Sequence, residues 1–368
     1  MSTILITLAM MLAACGGNDP LPDPPKPDVV VKFEISPATT LFSDKEETKN
    51  IIVTANGDWT ATSGQTWCSL APDKGGNGQT LVKISATANP KEEVRNAEIT
   101  FTSGKYSQKY TVSQTAGIIP NYVPAGYHKV WGEEFNDDRL SGGKPALPNT
   151  SKWWYENLPK GKVNNELQTY VGGFRDNDTV AAVSDGTLKI IARKSGADII
   201  SARINTIEAW AYGYFEARLK MPSGKGTWPA FWMMPKNFTA WPLDGEIDIM
   251  EYVGYQPNVV HATIHTEAYN HVKGTQKGAT RTIQNAETEF HIYAMEWTAD
   301  YIKGFVDGVE YFLFNNDGTG NKETWPFNMP FYLKLNLAWG GDWGGAQGVD
   351  ESKLPATYEI DYVRVYQK

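Results

Sequence analysis

The stretch "WPLDGEIDIMEYVG", Trp241 to Gly254, carries three acids within six residues: Glu246, Asp248 and Glu251. As a helix it would set Glu246 and Glu251 about 140° apart around the axis. The flanking Pro242, Gly245 and Gly254, together with Ile247, Ile249 and Val253, read as a strand instead. Alternate side chains of a regular strand share a face, so Glu246 and Asp248 belong together and Glu251 points the other way. One β-bulge near Ile249 or Met250 adds a residue and reverses the parity beyond it. All three acids then share one face, with Ile247 and one or both of Ile249 and Met250 packing behind.

With the bulge, the two glutamate Cα atoms stand ~13 Å apart at about 3.3 Å per residue. Side chains leaning inward bring the carboxyls to a reachable ~5–6 Å. Retaining glycosidases hold their pair about 5–5.5 Å apart and inverting ones about 6.5–9.5 Å, so the spacing permits retention. A calcium cluster or a solvated edge are the blander readings. Hard cations use carboxylate oxygens, but these acids sit among aromatic neighbours rather than in a Gly/Asn-rich ion loop.

The strand does not stand alone. From Gly126 to Lys368 strand-like runs dominate, among them "YFEARLKM", "TWPAFWMM", "HATIH", "FYLKLNLAW" and "YEIDYVRVY", and long amphipathic helices are absent. That pattern predicts an all-β sandwich or barrel. "YFEARLKM" alternates, with Phe215, Ala217 and Leu219 on one face, and Asp307-Gly308 reads as a hairpin turn. Upstream, residues 31–116 show short β-type runs broken at intervals of about ten residues, the signature of a second, smaller antiparallel sandwich. Trp59 and Trp67 in it could stack on a sugar, though filling its core is the commoner use of such a residue. Residues 117–125 link the two, with Pro120 and Pro124 as breakers.

The chain of 368 residues has a net charge of −8, so no basic excess exists for a nucleic-acid partner. Its 13 Trp and 18 Tyr fit sugar platforms as well as large cores, with more rings expected in cores than in sites. Cys15 and Cys68 are the two cysteines and lie far apart in sequence, so no disulfide framework is expected, and Cys68 reads as a small buried hydrophobe. The N-terminal apolar run ends in "LAAC", and its apolar stretch is too short to span a bilayer. "LAAC" resembles a bacterial lipobox, which implies a signal peptide over residues 1–14 and lipidation of Cys15, although no Lys or Arg precedes the run. The Pro-rich residues 15–30 then read as a tether. The expectation is an exported lipoprotein of the outer membrane or cell surface of a Gram-negative bacterium, held to the membrane by the lipid anchor only and monomeric.

Two resemblances add to this reading. "NGDWTATSGQTWCSLAPDKGGNG", "ANPKEEVRNAEITFTSG" and "YTVSQTAG" resemble the BACON domain, which implies an immunoglobulin-like sandwich, here favoured as a spacer. "GEIDIMEYVG" resembles the bulged E-x-D-x-x-E strand of glycoside hydrolase family 16, and "NNELQTY", "SARINT", "YGYFEARLKMPSGKGTWPAFWMMP", "HATIH" and "IDYVRVYQ" agree with it. The resemblance implies a concanavalin-like β-jelly-roll of two curved antiparallel sheets over residues 126–368, with a cleft on the concave face. It implies Glu246 as nucleophile, Glu251 as general acid/base and Asp248 as the acid orienting the nucleophile, with no cofactor for catalysis. Repulsion and desolvation are expected to hold a proton on the trio, favouring a protonated Glu251. It further implies substrate contacts from Trp228, Trp232, His265, Asn165, Glu166 and Arg203, and a structural calcium position at Asp361; Trp241, just before the acidic strand, and Trp339 and Trp343 on the Gly-rich "LAWGGDWGG" stretch are further candidates for the cleft. Glu166 with Arg203 also reads as a plain ion pair. His261 and His265 share a strand face, but a zinc site of that spacing needs a helix and a third ligand. The implied activity is that of an endo-β-1,3(4)-glucanase on β-glucans. The alternatives are a non-catalytic β-glucan-binding protein or a transglycosylase on the same fold.

Overall fold

The computed structural model describes residues 33–136 and 146–368. The signal segment, Cys15 and the tether lie outside these described residues.

The first module is a two-sheet sandwich. One sheet runs Phe33–Ser36, Glu47–Ala55, Gly78–Ala86, Cys68–Ala71, and the other joins Thr40–Phe42, Tyr106–Gln114, Arg95–Ser103, Trp59–Ser63 and Lys74–Gly75. Strict alternation in the four longest strands sends Ile51, Val53, Val82, Ile84, Ile99, Phe101, Tyr110 and Val112 into one core. Trp59, Trp67 and Cys68 are buried in that core, so neither tryptophan offers a sugar platform. Arg95 covers the outer side of Trp67, its guanidinium 4.3 Å from the ring centre.

The second domain packs a seven-stranded sheet on a ten-stranded one. The seven strands run Trp153–Tyr155, Arg203–Thr206, Phe331–Trp339, Thr227–Pro235, Glu246–Tyr252, Val259–His265 and Lys277–Thr282 in spatial order. The larger sheet is centred on Ala356–Gln367, Gly213–Lys220 and His291–Trp297, and its strand His128–Glu133 pairs with Ala356–Gln367. Inward residues of both sheets make one core: Phe215, Ala217 and Leu219 from one, Phe231, Met233, Leu333 and Leu335 from the other. Each fully buried side chain of this size contributes about 1.5–3 kcal/mol by leaving water. The Asp307-Gly308 turn forms as expected, with positive φ at both residues joining Tyr301–Val306 to Val309–Asn315. Helix among the described residues amounts to Gly341–Gly344 and the 3-10 turn Glu351–Lys353.

The bulge is present. Phe231 faces Met250 and its neighbour Trp232 faces Asp248, so Ile249 has no partner on that side. On the other side Asp248 faces Thr263 and Glu251 faces His261, which leaves two residues, Ile249 and Met250, against one, Ala262. Ile247, Ile249 and Met250 are all fully buried in the core. The extra residue turns Glu251 out of that core and onto the open face of the sheet.

Candidate active site

The open face of the seven-stranded sheet forms a cleft of about 850 Å³, floored by Glu246, Asp248 and Glu251. Alternation on Thr227–Pro235 delivers Trp228, Ala230, Trp232 and Met234 to it, and alternation on Val259–His265 delivers His261, Thr263 and His265. Two indoles hold the outer carboxyls. Trp228 Nε1 donates to Glu251 Oε1 at 3.1 Å, and Trp241 Nε1 donates to Glu246 Oε2 at 2.9 Å. Asp248 lies between them, with His265 Nε2 3.4 Å from its Oδ2.

The loop before the strand sets Trp241. Asp244 is buried and accepts from the backbone N–H of Thr239 at 2.6 Å and of Ala240 at 2.8 Å, and Lys322 Nζ reaches its other oxygen at 2.6 Å. These partners hold its carboxyl far below the usual carboxylate range. Gly245 turns the chain into the strand at φ 85°, where a Cβ would stand 2.8 Å from Phe327 and Pro326.

Burial dominates the electrostatics. It raises Glu246 to about 8, with the charge of Asp248 adding to the rise, while His265 and the Trp241 hydrogen bond oppose it. Burial raises Asp248 to about 8 as well, against a hydrogen bond to Glu246. Glu251 is pushed well above its ordinary value by burial first and Asp248 second. Burial also drops His261 to about 4, which keeps that ring neutral beside Trp343, 4.8 Å away centre to centre.

At the other end of the cleft, charged groups replace the acids. Arg203 and Lys334 lie over Trp232, at 4.9 and 4.8 Å from its ring centre, and both pair with Glu156. Burial lowers Lys334 to about 8. Trp232 Nε1 donates to Asn336 Oδ1 at 2.7 Å, fixing the ring plane. Glu166 lines the same end, hydrogen-bonded by Gln168 Nε2 at 2.6 Å. The ion-pair partner of Arg203 is Glu156, at 3.6 Å, rather than Glu166.

Of the residues read from sequence, Glu246, Asp248, Glu251, Trp228, Trp232, Trp241, His265, Glu166 and Arg203 all line the cleft. Three expectations are corrected. Trp339 is fully buried and belongs to the core beneath the Gly-rich loop, because it ends a strand whose odd positions face inward; Trp343 takes the cleft position, 5.5 Å from Trp228. Asn165 is exposed and donates to Asp342 Oδ1 at 2.8 Å, while the adjacent Asn164 lines the cleft. Asp361 is fully buried between Lys91 and Arg218, which leaves its carboxylate matched by two side-chain cations rather than free for a metal ion. Sequence reading also missed Glu156, Lys334 and Asn336. For the last two a signal existed: in "FYLKLNLAW" the polar residues at alternate positions face away from the leucines.

Eight of the 13 tryptophans are buried and four line the cleft. The family described as "Glycosyl hydrolases family 16" matches residues 172–364, and the "Viral BACON domain" family matches residues 32–117. The chain is 46% identical over 251 residues to a beta-glucanase of Rhodothermus marinus, covering 65% of this chain and 84% of that protein. Among solved structures, the laminarinase from Rhodothermus marinus aligns with a TM-score of 0.60 and 44% identity over 66% of this chain and 97% of its own. SCLam, a non-specific endo-beta-1,3(4)-glucanase, aligns with a TM-score of 0.62 and 44% identity over 68% of this chain and 94% of its own. The chain therefore belongs to glycoside hydrolase family 16, with a BACON-type sandwich ahead of the catalytic jelly roll.

Proposed function

We propose that the protein is a retaining endo-β-1,3(4)-glucanase that cuts internal linkages of β-glucans by double displacement. The observation that carries this is the pair of indole-held glutamates flanking Asp248 on the floor of an aromatic cleft. Glu246 attacks the anomeric carbon while Glu251 gives its proton to the departing glycosidic oxygen. Asp248, between the two glutamates on the cleft floor, orients the nucleophile, which is an anion when it attacks and is neutralised as the glycosyl ester forms. Glu251, now ionised, takes a proton from water, which opens the ester and restores both groups. No cofactor enters either step. Trp228 and Trp343 offer faces to sugars on one side of the cut, Trp232 and the Arg203–Lys334–Glu156 group on the other.

The names of the relatives, a beta-glucanase and laminarinases, support β-glucan as substrate. The "LAWGGDWGGAQGVDES" stretch resembles laminarinase relatives, and that resemblance is what favours β-1,3 linkages over mixed ones. Incubation with laminarin, barley β-glucan, lichenan, cellulose and agarose, followed by product sizing, tests the assignment: short oligosaccharides from laminarin are expected, and activity confined to agarose or cellulose would overturn it. Unchanged reducing-sugar release by Glu246→Ala would favour the binding-protein alternative, and transfer to an added acceptor sugar in preference to water the transglycosylase one. Export as a lipoprotein anchored through Cys15 rests on the "LAAC" stretch. Radiolabelled palmitate incorporation that disappears in Cys15→Ala is the expected result.

A further inference from the structure

The loop over residues 87–94 of the N-terminal sandwich lies against the ten-stranded sheet, on the side away from the cleft. Lys91 enters an oxygen cradle there. Its Nζ donates to the backbone carbonyls of Glu134 at 2.8 Å and Asp361 at 3.0 Å, and pairs with Asp361 Oδ1. The cradle exists because the strand Ala356–Gln367 bulges at Asp361: Arg218 faces Tyr362 and the next residue, Leu219, faces Ile360. The extra residue turns the carboxylate outward, where it is nonetheless fully buried under the module. Arg218 Nη1 completes the arrangement, 2.8 Å from Asp361 Oδ2 and 3.2 Å from the carbonyl of Pro90.

Neighbouring contacts repeat the complementarity. Glu92 stands 3.9 Å from Arg364, and Thr66 hydrogen-bonds Asp185. The segment joining the two domains is packed as well. Gly117 N–H donates to the Lys91 carbonyl at 2.6 Å, Ile119 is buried against Ile292 and Tyr362, and Tyr122 covers the Asp307-Gly308 turn so closely that a Cβ on Gly308 would collide with its ring.

Calcium ordinarily takes six to eight oxygen ligands, with carboxylates supplying charge. Here three protein oxygens converge, and one carboxylate is already balanced by Lys91 and Arg218. A metal ion does not fit this cradle while the ammonium is in it. We propose that Lys91 is the resident cation of the cradle, and that it clamps the N-terminal sandwich onto the convex sheet so that the two domains move as one body. The module then acts as a fixed strut behind the cleft, and the segment 117–125 is a strap rather than a hinge.

The test uses the full chain. Wild-type protein in EDTA and in saturating calcium chloride is expected to melt at the same temperature. Lys91→Met is expected to keep its rate on laminarin, to be cleaved in the segment 117–125 roughly tenfold faster by protease, and to show a larger maximum dimension in small-angle scattering. With the ammonium gone, calcium is expected to raise its melting temperature by roughly 5 °C at about a hundredfold excess over Kd. A wild-type protein that loses stability in EDTA would show that a metal ion, not Lys91, holds the cradle. Protease cleavage and scattering of Lys91→Met that match wild type would show that the lysine clamps nothing. The first of these measurements needs no variant to fold.

Discussion

Two indole N–H groups hold the two outer glutamates, Glu251 and Glu246, through one kind of interaction, and that makes the two carboxyls separable by pH. Each stabilises the ionised form of its glutamate, so removing it raises that group's pKa. Trp228→Phe frees Glu251, which then keeps its proton to higher pH, and the alkaline limb of kcat/KM should move up by about one unit. Trp241→Phe frees Glu246, which then ionises only at higher pH, and the acid limb should move up by a similar amount. A profile of kcat/KM against pH for each variant checks both, and a shift of the opposite limb in either case would reverse the assignment of nucleophile and acid. Glu251→Gln should lose roughly 10³-fold on unactivated glucan while forming the glycosyl-enzyme readily from a substrate with a good leaving group. Glu246→Ala should be rescued by azide on such an activated substrate, giving the inverted glycosyl azide, detected by NMR.

The strand Glu246–Tyr252 depends on one extra residue for its chemistry. Deleting Met250 leaves Glu, Asp and Glu at alternate positions of a regular strand, with Ile247, Ile249 and Tyr252 still inward. Such a variant should retain laminarin activity at least roughly tenfold above Glu251→Gln. It should also melt lower, because a fully buried side chain is lost from the core, at about 2–5 kcal/mol. Inserting an alanine after Ile249 has the reverse effect: Glu251 turns into the core, activity is abolished, and a buried carboxyl without partners destabilises the sheet. The presence of a bulge was legible from parity, since three acids cannot share a face otherwise. Its exact seat was not, because Ile249 and Met250 are both apolar and both end up buried. The ladder settles it, with Ile249 the residue skipped by the neighbouring strand.

For the molecule as a whole, burial of acids ties stability to pH. Glu216 sits on the convex sheet near the N-terminal module, hydrogen-bonded by Tyr366 at 3.1 Å, and burial lifts it from 4.5 to about 7. A carboxyl raised in the folded state contributes stability that is fully present below its unfolded pKa and lost as pH rises through the folded one. Glu246 and Asp248, raised to about 8, act in the same direction. Calorimetry should therefore find a higher melting temperature at about pH 5 than at about pH 8. Glu216→Gln should narrow that gap, by up to about 3 kcal/mol if the whole shift is removed.

Alternation, turn chemistry and the acidic stretch were enough to read two all-β modules, the catalytic strand and most of the cleft, because a strand's faces follow from residue order alone. Trp228, Trp232, His265 and the acid trio needed nothing more than parity and one bulge. Three things needed the fold. Trp339 and Trp343 sit four residues apart in one glycine-rich stretch, and only the point where the strand ends decides which ring is core and which is cleft. Glu156 directly follows the strand Trp153–Tyr155 and is 178 residues from Lys334; the two meet beside Trp232 only because that strand and Phe331–Trp339 lie in one sheet. Asp361 faces two cations, one of them Lys91 from the other module, 270 residues away. A charge is visible in a sequence, but its partner is set by which surfaces the chain brings together, and no local rule of order encodes that.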